Sequence, residues 1–351
     1  MEWDLERSRK EFAWLQLMSR FKYDGYSDFV AGVRFIESLA GWLQQFNLEE
    51  RIAAYNFVRK HLIFFGAGEM QHLIELAYPE CVRIRLIRET AAIVDRPSYL
   101  VWSVPNAGEV YKQLLRKSLF FGLSDGAHID SFRRSTAGLI SNEQVLLATE
   151  IAPGKWNQVL AELRKDLNDS AARFKFLFLF DDFIGTGTTL QGKLKRLWRD
   201  CAGHNIVETH LDSDWTVVVH HYIATEKVTK DIVAIEQQLR TDHESSGWFR
   251  NVEFSFELVL SESLQINAEK AGEFWPLIEK YYNSGIETAH TRKGGGKDVR
   301  LGFGQCALPV VLEHNTPNNS IALIWAEIAA TEKETAMRPL FRRRQRHTDL
   351  A

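Results

Sequence analysis

The stretch from Phe176 to Lys193, FLFLFDDFIGTGTTLQGK, gathers residue types that suit a sugar phosphate. The apolar run Leu177–Phe180 predicts a strand, with Asp181 and Asp182 at its carboxyl end, a tight loop over Ile184–Gly187, and a helix from about Thr188. A glycine-containing loop between a strand and a helix aims several backbone N–H groups at one point, which is an anion site. Gly185 and Gly187 would allow positive φ and close approach of a phosphate, and the hydroxyls of Thr186, Thr188 and Thr189 would add donors. The two carboxylates would repel that phosphate but suit a vicinal diol or a hydrated Mg2+. A phosphate on one side and a diol on the other point to ribose 5-phosphate.

Other readings of the same residues fit less well. Gly187 to Lys193 spells G-x-x-x-x-G-K, but Leu194 stands where a nucleotide-binding P-loop needs Ser or Thr for Mg2+, and Lys193 falls inside the expected helix. A phosphatase of the haloacid-dehalogenase type needs a second aspartate two positions after the first, and Phe183 occupies that place. The structural alternative is a pair of helix-capping acids and an ordinary glycine turn.

In its order of four apolar residues, two acids and a Thr-Gly-x-Thr loop, the segment resembles the 5-phosphoribosyl-1-pyrophosphate motif of type I phosphoribosyltransferases. The resemblance implies that Asp181 and Asp182 hold the ribose hydroxyls and that Gly185, Thr186, Gly187, Thr188 and Thr189 surround the 5-phosphate. Phe183 and Gly185 depart from the pattern, where a smaller aliphatic residue and a small hydroxyl residue or alanine are usual. The strings FFGLSDGAHIDSFRRS, SNEQVL and LEHNTPNNSIALIW are also similar to the phosphoribosyltransferase-like domain of bacterial conflict systems, including anti-phage operons and retron cassettes. That likeness implies an antiviral effector with a partner from the same operon, a protein or an RNA or DNA. In a retron the partners are the reverse transcriptase and its RNA–DNA product.

In a phosphoribosyltransferase the pyrophosphate lies in a loop after an early strand, and SDGAHIDSFRR follows the expected strand Leu119–Leu123. Arg133 and Arg134 are therefore nominated to neutralise charge on the leaving group, against an exposed arginine pair at a helix start. Asp125 and Asp130 are placed to help hold Mg2+ or to cap a helix, and Asp125 joins Asp181 and Asp182 as an expected metal ligand. The turn His314–Asn319 carries Asn315, Asn318 and Asn319, amides suited to the edge of a base or acceptor. His220 and His221 are adjacent in an apolar strand and are expected to be satisfied core residues on opposite faces.

The surrounding elements set the fold class. Residues 1–95 read as a helical region that could bind a partner, with breaks at YDGYSD, QFNLEE and FFGAGE and helix starts at Asp28 and Asn47. Phe12, Leu15, Phe21, Phe29, Val33, Ile36, Leu39 and Trp42 recur at helical spacing as a core stripe. Residues 96–335 alternate short apolar runs with helices, which predicts an α/β domain with a mostly parallel sheet of phosphoribosyltransferase type and helices on both faces. The expected strands after the first are Gln144–Ile151, Phe174–Phe180, Thr216–Ala224 and Glu253–Leu260, and the expected helices are Lys155–Leu167, Thr189–Cys201, Thr225–Leu239 and Lys270–Tyr282. The glycine-rich stretch Arg292–Gln305 is expected to be a mobile loop or flap.

Residues 336–351 read as a basic tail, either solvated or docking a nucleic acid or protein. The chain of 351 residues has 45% apolar and 25% charged residues and a net charge of -3, a composition without a global bias toward nucleic acid or membrane. Cys81, Cys201 and Cys306 lack metal-ligand spacing and are expected as reduced thiols. No signal-peptide core or membrane-length apolar run is present in the sequence, so a cytoplasmic protein is expected. The expected activity is attack at the anomeric carbon of phosphoribosyl diphosphate or a related nucleotide, with Mg2+ on the leaving group. The competing expectation is a non-catalytic module of the same fold that senses a nucleotide or binds a partner.

Overall fold

A strand covered by helices on both faces must be apolar on both, and the longest such runs of the chain become the centre of a parallel sheet. The computed structural model describes residues 3–27, 29, 34–147, 151–244, 251–288, 296, 298–330 and 335–343. Its strands are β1 (Ile63–Phe65), β2 (Ser118–Gly122), β3 (Val145–Leu146), β4 (Phe174–Ile184), β5 (Leu211–Thr225), β6 (Asn251–Leu260) and β7 (Val310–Leu312). The chain separates into two units, Met1–Met70 with Ser261–Ala351, and Gln71–Leu260. This division differs from expected boundaries at 95/96 and 335/336.

The Gln71–Leu260 unit is built on a five-stranded sheet in the order β3-β2-β4-β5-β6, with all pairs parallel. Its helices include α1 (Ile84–Ile93), α2 (Ala107–Arg116), α3 (Ile129–Ser135), α4 (Pro153–Leu167), α5 (Thr188–Gly203), α6 (Ile206–His210) and α7 (Glu226–Glu244). Successive residues of β4 point to opposite faces. Leu177 and Leu179 join Trp156, Leu160 and Leu163 of α4 and Leu190, Leu194 and Leu197 of α5 in one core. On the other face Phe178 stacks on Phe120 at 5.3 Å, and Phe180 lies 4.5 Å from Phe132 of α3. Arg85 of α1 covers that face, 4.8 Å above the Phe176 ring, and is paired with Glu89 and Glu253. Each fully buried Phe of this kind contributes about 1.5–3 kcal/mol.

The unit of Met1–Met70 and Ser261–Ala351 has its own aromatic core. Trp42 is buried and donates its indole N–H to the Leu323 carbonyl at 2.7 Å. Phe341 packs against Tyr23, Tyr26, Phe29, Phe35 and Phe64. β1 pairs with β7 in parallel, tying the two chain segments together.

Several expectations are corrected here. Met337, Leu340 and Phe341 are buried, Arg342 pairs with Glu327 at 2.8 Å and Arg343 lies over Trp325, so residues 336–343 are part of a core and its rim rather than a tail; residues 344–351 lie outside those described. Leu39 and Trp42 are buried and Leu15 and Phe29 pack against their core, but Phe12 is 52% exposed and Phe21 80%, so the stripe is only partly kept along the helix Leu5–Phe21. Asp28 and Val33 lie outside the described residues. Glu50, not Asn47, sits at the cap before the helix Arg51–His61, and accepts the Asn47 N–H at 3.2 Å. The run Gln144–Ile151 pairs only over Val145–Leu146, with 148–150 outside the described residues. The helix expected over Lys270–Tyr282 breaks at Gly272, which has φ of +50°. Of the expected flap, 292–295 and 297 are outside the described residues, while Val299 and Phe303 are buried.

Candidate functional site

Parallel strands deliver their carboxyl ends to one edge, so the loops after β2, β4 and β5 are neighbours there. β2 pairs with β4 only as far as Gly122 opposite Phe180, so beyond this point the flank of β4 is the loop Leu123–His128. That loop is fastened by the Leu123 N–H on the Phe180 carbonyl at 2.8 Å and by the Tyr222 hydroxyl on the Ala127 carbonyl at 3.0 Å. β4 continues beside β5 through Ile184, so Asp181 and Asp182 lie within its last paired residues and project to opposite faces.

Asp181 faces α5 and is 4% exposed. One carboxylate oxygen accepts from the Ser124 hydroxyl and the other from the Lys193 ammonium. Burial raises its pKa from 3.8 to about 6, the Asp182 charge pushes the same way, and Lys193 and Ser124 oppose. Asp182 is half-buried and accepts the Phe183 N–H at 2.8 Å. The two acids therefore do not present a matched pair to one diol. Asp181 is an internally engaged group, and Asp182 is the acid at the surface of the site.

The turn after β4 follows from local rules. Gly187 adopts φ of +76° and starts α5 without a side-chain cap, so the first-turn N–H groups of this 16-residue helix have no side-chain acceptor at the cap. Thr188 and Thr189 are exposed at that turn, and Thr186 lies 3.2 Å from Thr188, hydroxyl to hydroxyl. A Cβ on Gly187 would come within 2.6 Å of Ile235 Cδ1, so a larger residue there meets both the positive φ and an Ile235 side chain that has to shift. Gly185 is not among the glycines with positive φ, contrary to expectation; its carbonyl accepts from the Thr225 hydroxyl at 2.7 Å, which ties the turn to the end of β5.

The remaining expected residues divide. Ser124 brings the loop after β2 to Asp181, and Asp125 stands next to it, exposed on a 3-10 turn. Arg133 and Arg134 are exposed in the last turn of α3 rather than at a helix start, and Arg134 pairs with Asp130 at 2.8 Å. Asn315, Asn318 and Asn319 belong to the other unit. Asn319 is buried and donates its amide to the Phe303 carbonyl at 2.9 Å and the Cys306 sulfur at 3.4 Å, which engages it in the fold instead of a base edge. The Asn315 carbonyl accepts from Leu312 and the Asn318 carbonyl from Phe303, so both serve the turn through their backbone.

His220 and His221 are buried, and burial lowers both pKa values to about 3. His220 Nδ1 lies 3.1 Å from the Ser255 hydroxyl, but His220 Nε2 and His221 Nδ1 have no hydrogen-bond partner among the described residues, so these histidines are only partly satisfied. Cys81, Cys201 and Cys306 are buried and form no disulfide among the described residues.

Lys193 and Ser124 are the site residues that spacing alone did not single out. The trace of Lys193 was the G-x-x-x-x-G-K string, whose template sends the lysine to a phosphate, whereas here it returns to Asp181. Of the expected metal ligands, Asp181 has both oxygens engaged, Asp182 accepts the Phe183 N–H with one of its own, and Asp125 is exposed. One or two carboxylates completed by water and substrate oxygens fit the preference of Mg2+. No helix among the described residues is long and apolar enough to cross a membrane. A model of the family described as PRTase-CE matches residues 39–343. No curated protein and no solved structure matches the chain.

Proposed function

The chain belongs to the PRTase-CE family, and from that premise we propose that the turn between β4 and α5 binds the 5-phosphate of phosphoribosyl diphosphate or a related nucleotide for reaction at its anomeric carbon. The observation that carries the proposal is the glycine-started, uncapped N-terminus of α5 with Thr186, Thr188 and Thr189 around it, at the carboxyl edge of a parallel sheet. The partial positive charge of about half a unit at a helix N-terminus favours a phosphate there.

Asp182 then accepts a hydrogen bond from a ribose hydroxyl. Asp181 acts as a positioning residue, holding Lys193 on α5 and Ser124 on the neighbouring loop in fixed relation. In the reaction the bond from the anomeric carbon to the diphosphate oxygen breaks, and the electron pair leaves with pyrophosphate. A bond forms to the acceptor, which gives up a proton. Mg2+, held by Asp182 and Asp125, would supply charge neutralisation on the leaving group. The chain itself contributes mainly by holding the sugar and its phosphate in place.

The test is pyrophosphate release from phosphoribosyl diphosphate with Mg2+. Asp182→Asn and Thr186→Val are expected to lower the rate by about 10²–10³-fold, the effect of removing one transition-state contact. Tight binding without release points to the sensing module. Absence of both binding and release refutes the site.

The conflict-system role is also part of the proposal, on the strength of the three similar strings. Induced expression of the chain without its operon is expected to arrest bacterial growth, and Asp182→Asn to relieve the arrest. Unimpaired growth on expression of the active chain would remove that role.

A further inference from the structure

A cavity of about 520 Å³ lies in the Gln71–Leu260 unit and shares no residue with the β4–α5 turn. This is within the span of about 300–1,000 Å³ found for small-molecule pockets. Its walls include Tyr78, Trp102 and Tyr111. The Trp102 and Tyr111 rings meet edge to face at 5.7 Å, and the Tyr78 and Tyr111 hydroxyls are 3.2 Å apart. Trp102 is 52% exposed, an aromatic face held in water at the mouth.

The polar groups supply both acceptors and donors. The Ser135 and Thr136 hydroxyls donate to the Phe132 carbonyl at 2.9 Å and 2.8 Å, so toward the cavity they offer acceptor lone pairs. Glu75 adds a carboxylate, which takes one hydrogen bond from Gln71. Arg83 is the one cation of the lining, and neither it nor Glu75 forms an ion pair among the described residues. A planar ligand that donates a hydrogen bond toward Glu75 and places an anionic group on Arg83 matches this lining.

The backbone has an independent mark of use. Tyr78 and Arg83 lie in a π-helical turn, Ala77–Arg83, that also contains Pro79. Such turns are rare and are frequent at functional sites.

We infer that this cavity binds an aminopurine nucleoside monophosphate, with the base against Trp102 and Tyr111, its amino group toward Glu75, and the phosphate on Arg83. It is a site additional to the phosphate turn and does not depend on the activity proposed for that turn. Equilibrium dialysis of the full chain against AMP and GMP, with ribose 5-phosphate in excess, tests it.

Nucleotide is expected to bind in the presence of ribose 5-phosphate. Trp102→Ala is expected to weaken it about tenfold or more, as loss of base–aromatic stacking does, while Trp102→Phe restores most of the affinity. Arg83→Gln is expected to weaken AMP but not adenosine, and inosine monophosphate to bind less well than AMP. Thr186→Val is expected to leave binding unchanged. The inference is overturned if no nucleotide binds at millimolar concentration, if Trp102→Ala has no effect, or if ribose 5-phosphate or Thr186→Val abolishes binding. Equal binding of inosine monophosphate and AMP would overturn the aminopurine assignment.

Discussion

Asp181 shows how one buried charge can be read through pH. Its folded pKa, about 6, is above the ordinary 3.8, because burial disfavours the charged form more than Lys193 and Ser124 favour it. For an acid with a raised pKa, the cost to stability is fully present above the folded value and is relieved as pH falls toward the unfolded one. The shift corresponds to roughly 3 kcal/mol. The stability of the wild type relative to Asp181→Asn is therefore expected to rise as pH is lowered from 7 to 4, by up to that amount, in urea unfolding at each pH. Lys193→Met leaves the buried carboxylate without its cation and is expected to cost about 3–5 kcal/mol at pH 8. That loss should shrink as Asp181 takes up its proton at lower pH. A pH-independent loss would mean that Lys193 acts through packing.

At this scale the sequence carried the turn but not its wiring. Thr186, Thr188 and Asp182 were legible because strand, acids, glycine and hydroxyls lie in one short segment. The engagement of Asp181 was not, because Ser124 is 57 positions away and reaches it only through the pairing of β2 with β4. Asn319 looked like a recognition group because residue type cannot tell an amide that is engaged within its own fold from one that faces a ligand.

Elements have their own test in two glycines with nearly the same φ. Gly138 has φ of +83° and nothing within 4 Å of a built Cβ, whereas Gly187 has φ of +76° and Ile235 Cδ1 at 2.6 Å. Gly138→Ala is expected to cost about 1–2 kcal/mol from conformation alone. Gly187→Ala is expected to cost more, since Ile235 must also move, and to weaken ribose 5-phosphate binding, which Gly138→Ala leaves unchanged. Denaturation and phosphate titration of the pair separate the two effects; equal costs would show that Ile235 moves aside freely. The long strands β4 and β5 were readable because their apolar runs need cover on both faces. β1 was not, because a strand of 3 residues is held by its neighbour and not by a pattern of its own, and β3, expected over Gln144–Ile151, pairs over only 2 residues.

Over the whole molecule, the two units each have a core, and the boundary between them was hidden because one unit is made from both ends of the chain. Local pattern reads segments in order and gives no sign that residue 341 belongs with residue 35. Phe341→Ala is expected to cost about 3–5 kcal/mol, as for other fully buried phenylalanines, measured by urea unfolding followed through Trp42. Pyrophosphate chemistry assigned to the other unit should persist at temperatures where the variant is still folded. A cost below 1 kcal/mol would mean that the ring cluster tolerates an empty centre.

The placement of Phe341 also sets a timetable during synthesis. Translation delivers Gln71–Leu260 well before the last strands and rings of the other unit have left the ribosome, and the 81 residues from Ser261 to Phe341 take about 4–16 s at roughly 5–20 residues per second. For that interval the nascent Tyr23, Phe35 and Phe64 rings lack the side chain that closes over them. A stalled or prematurely ended message would thus release a chain whose sheet can assemble but whose aromatic surface stays open to chaperones and proteases.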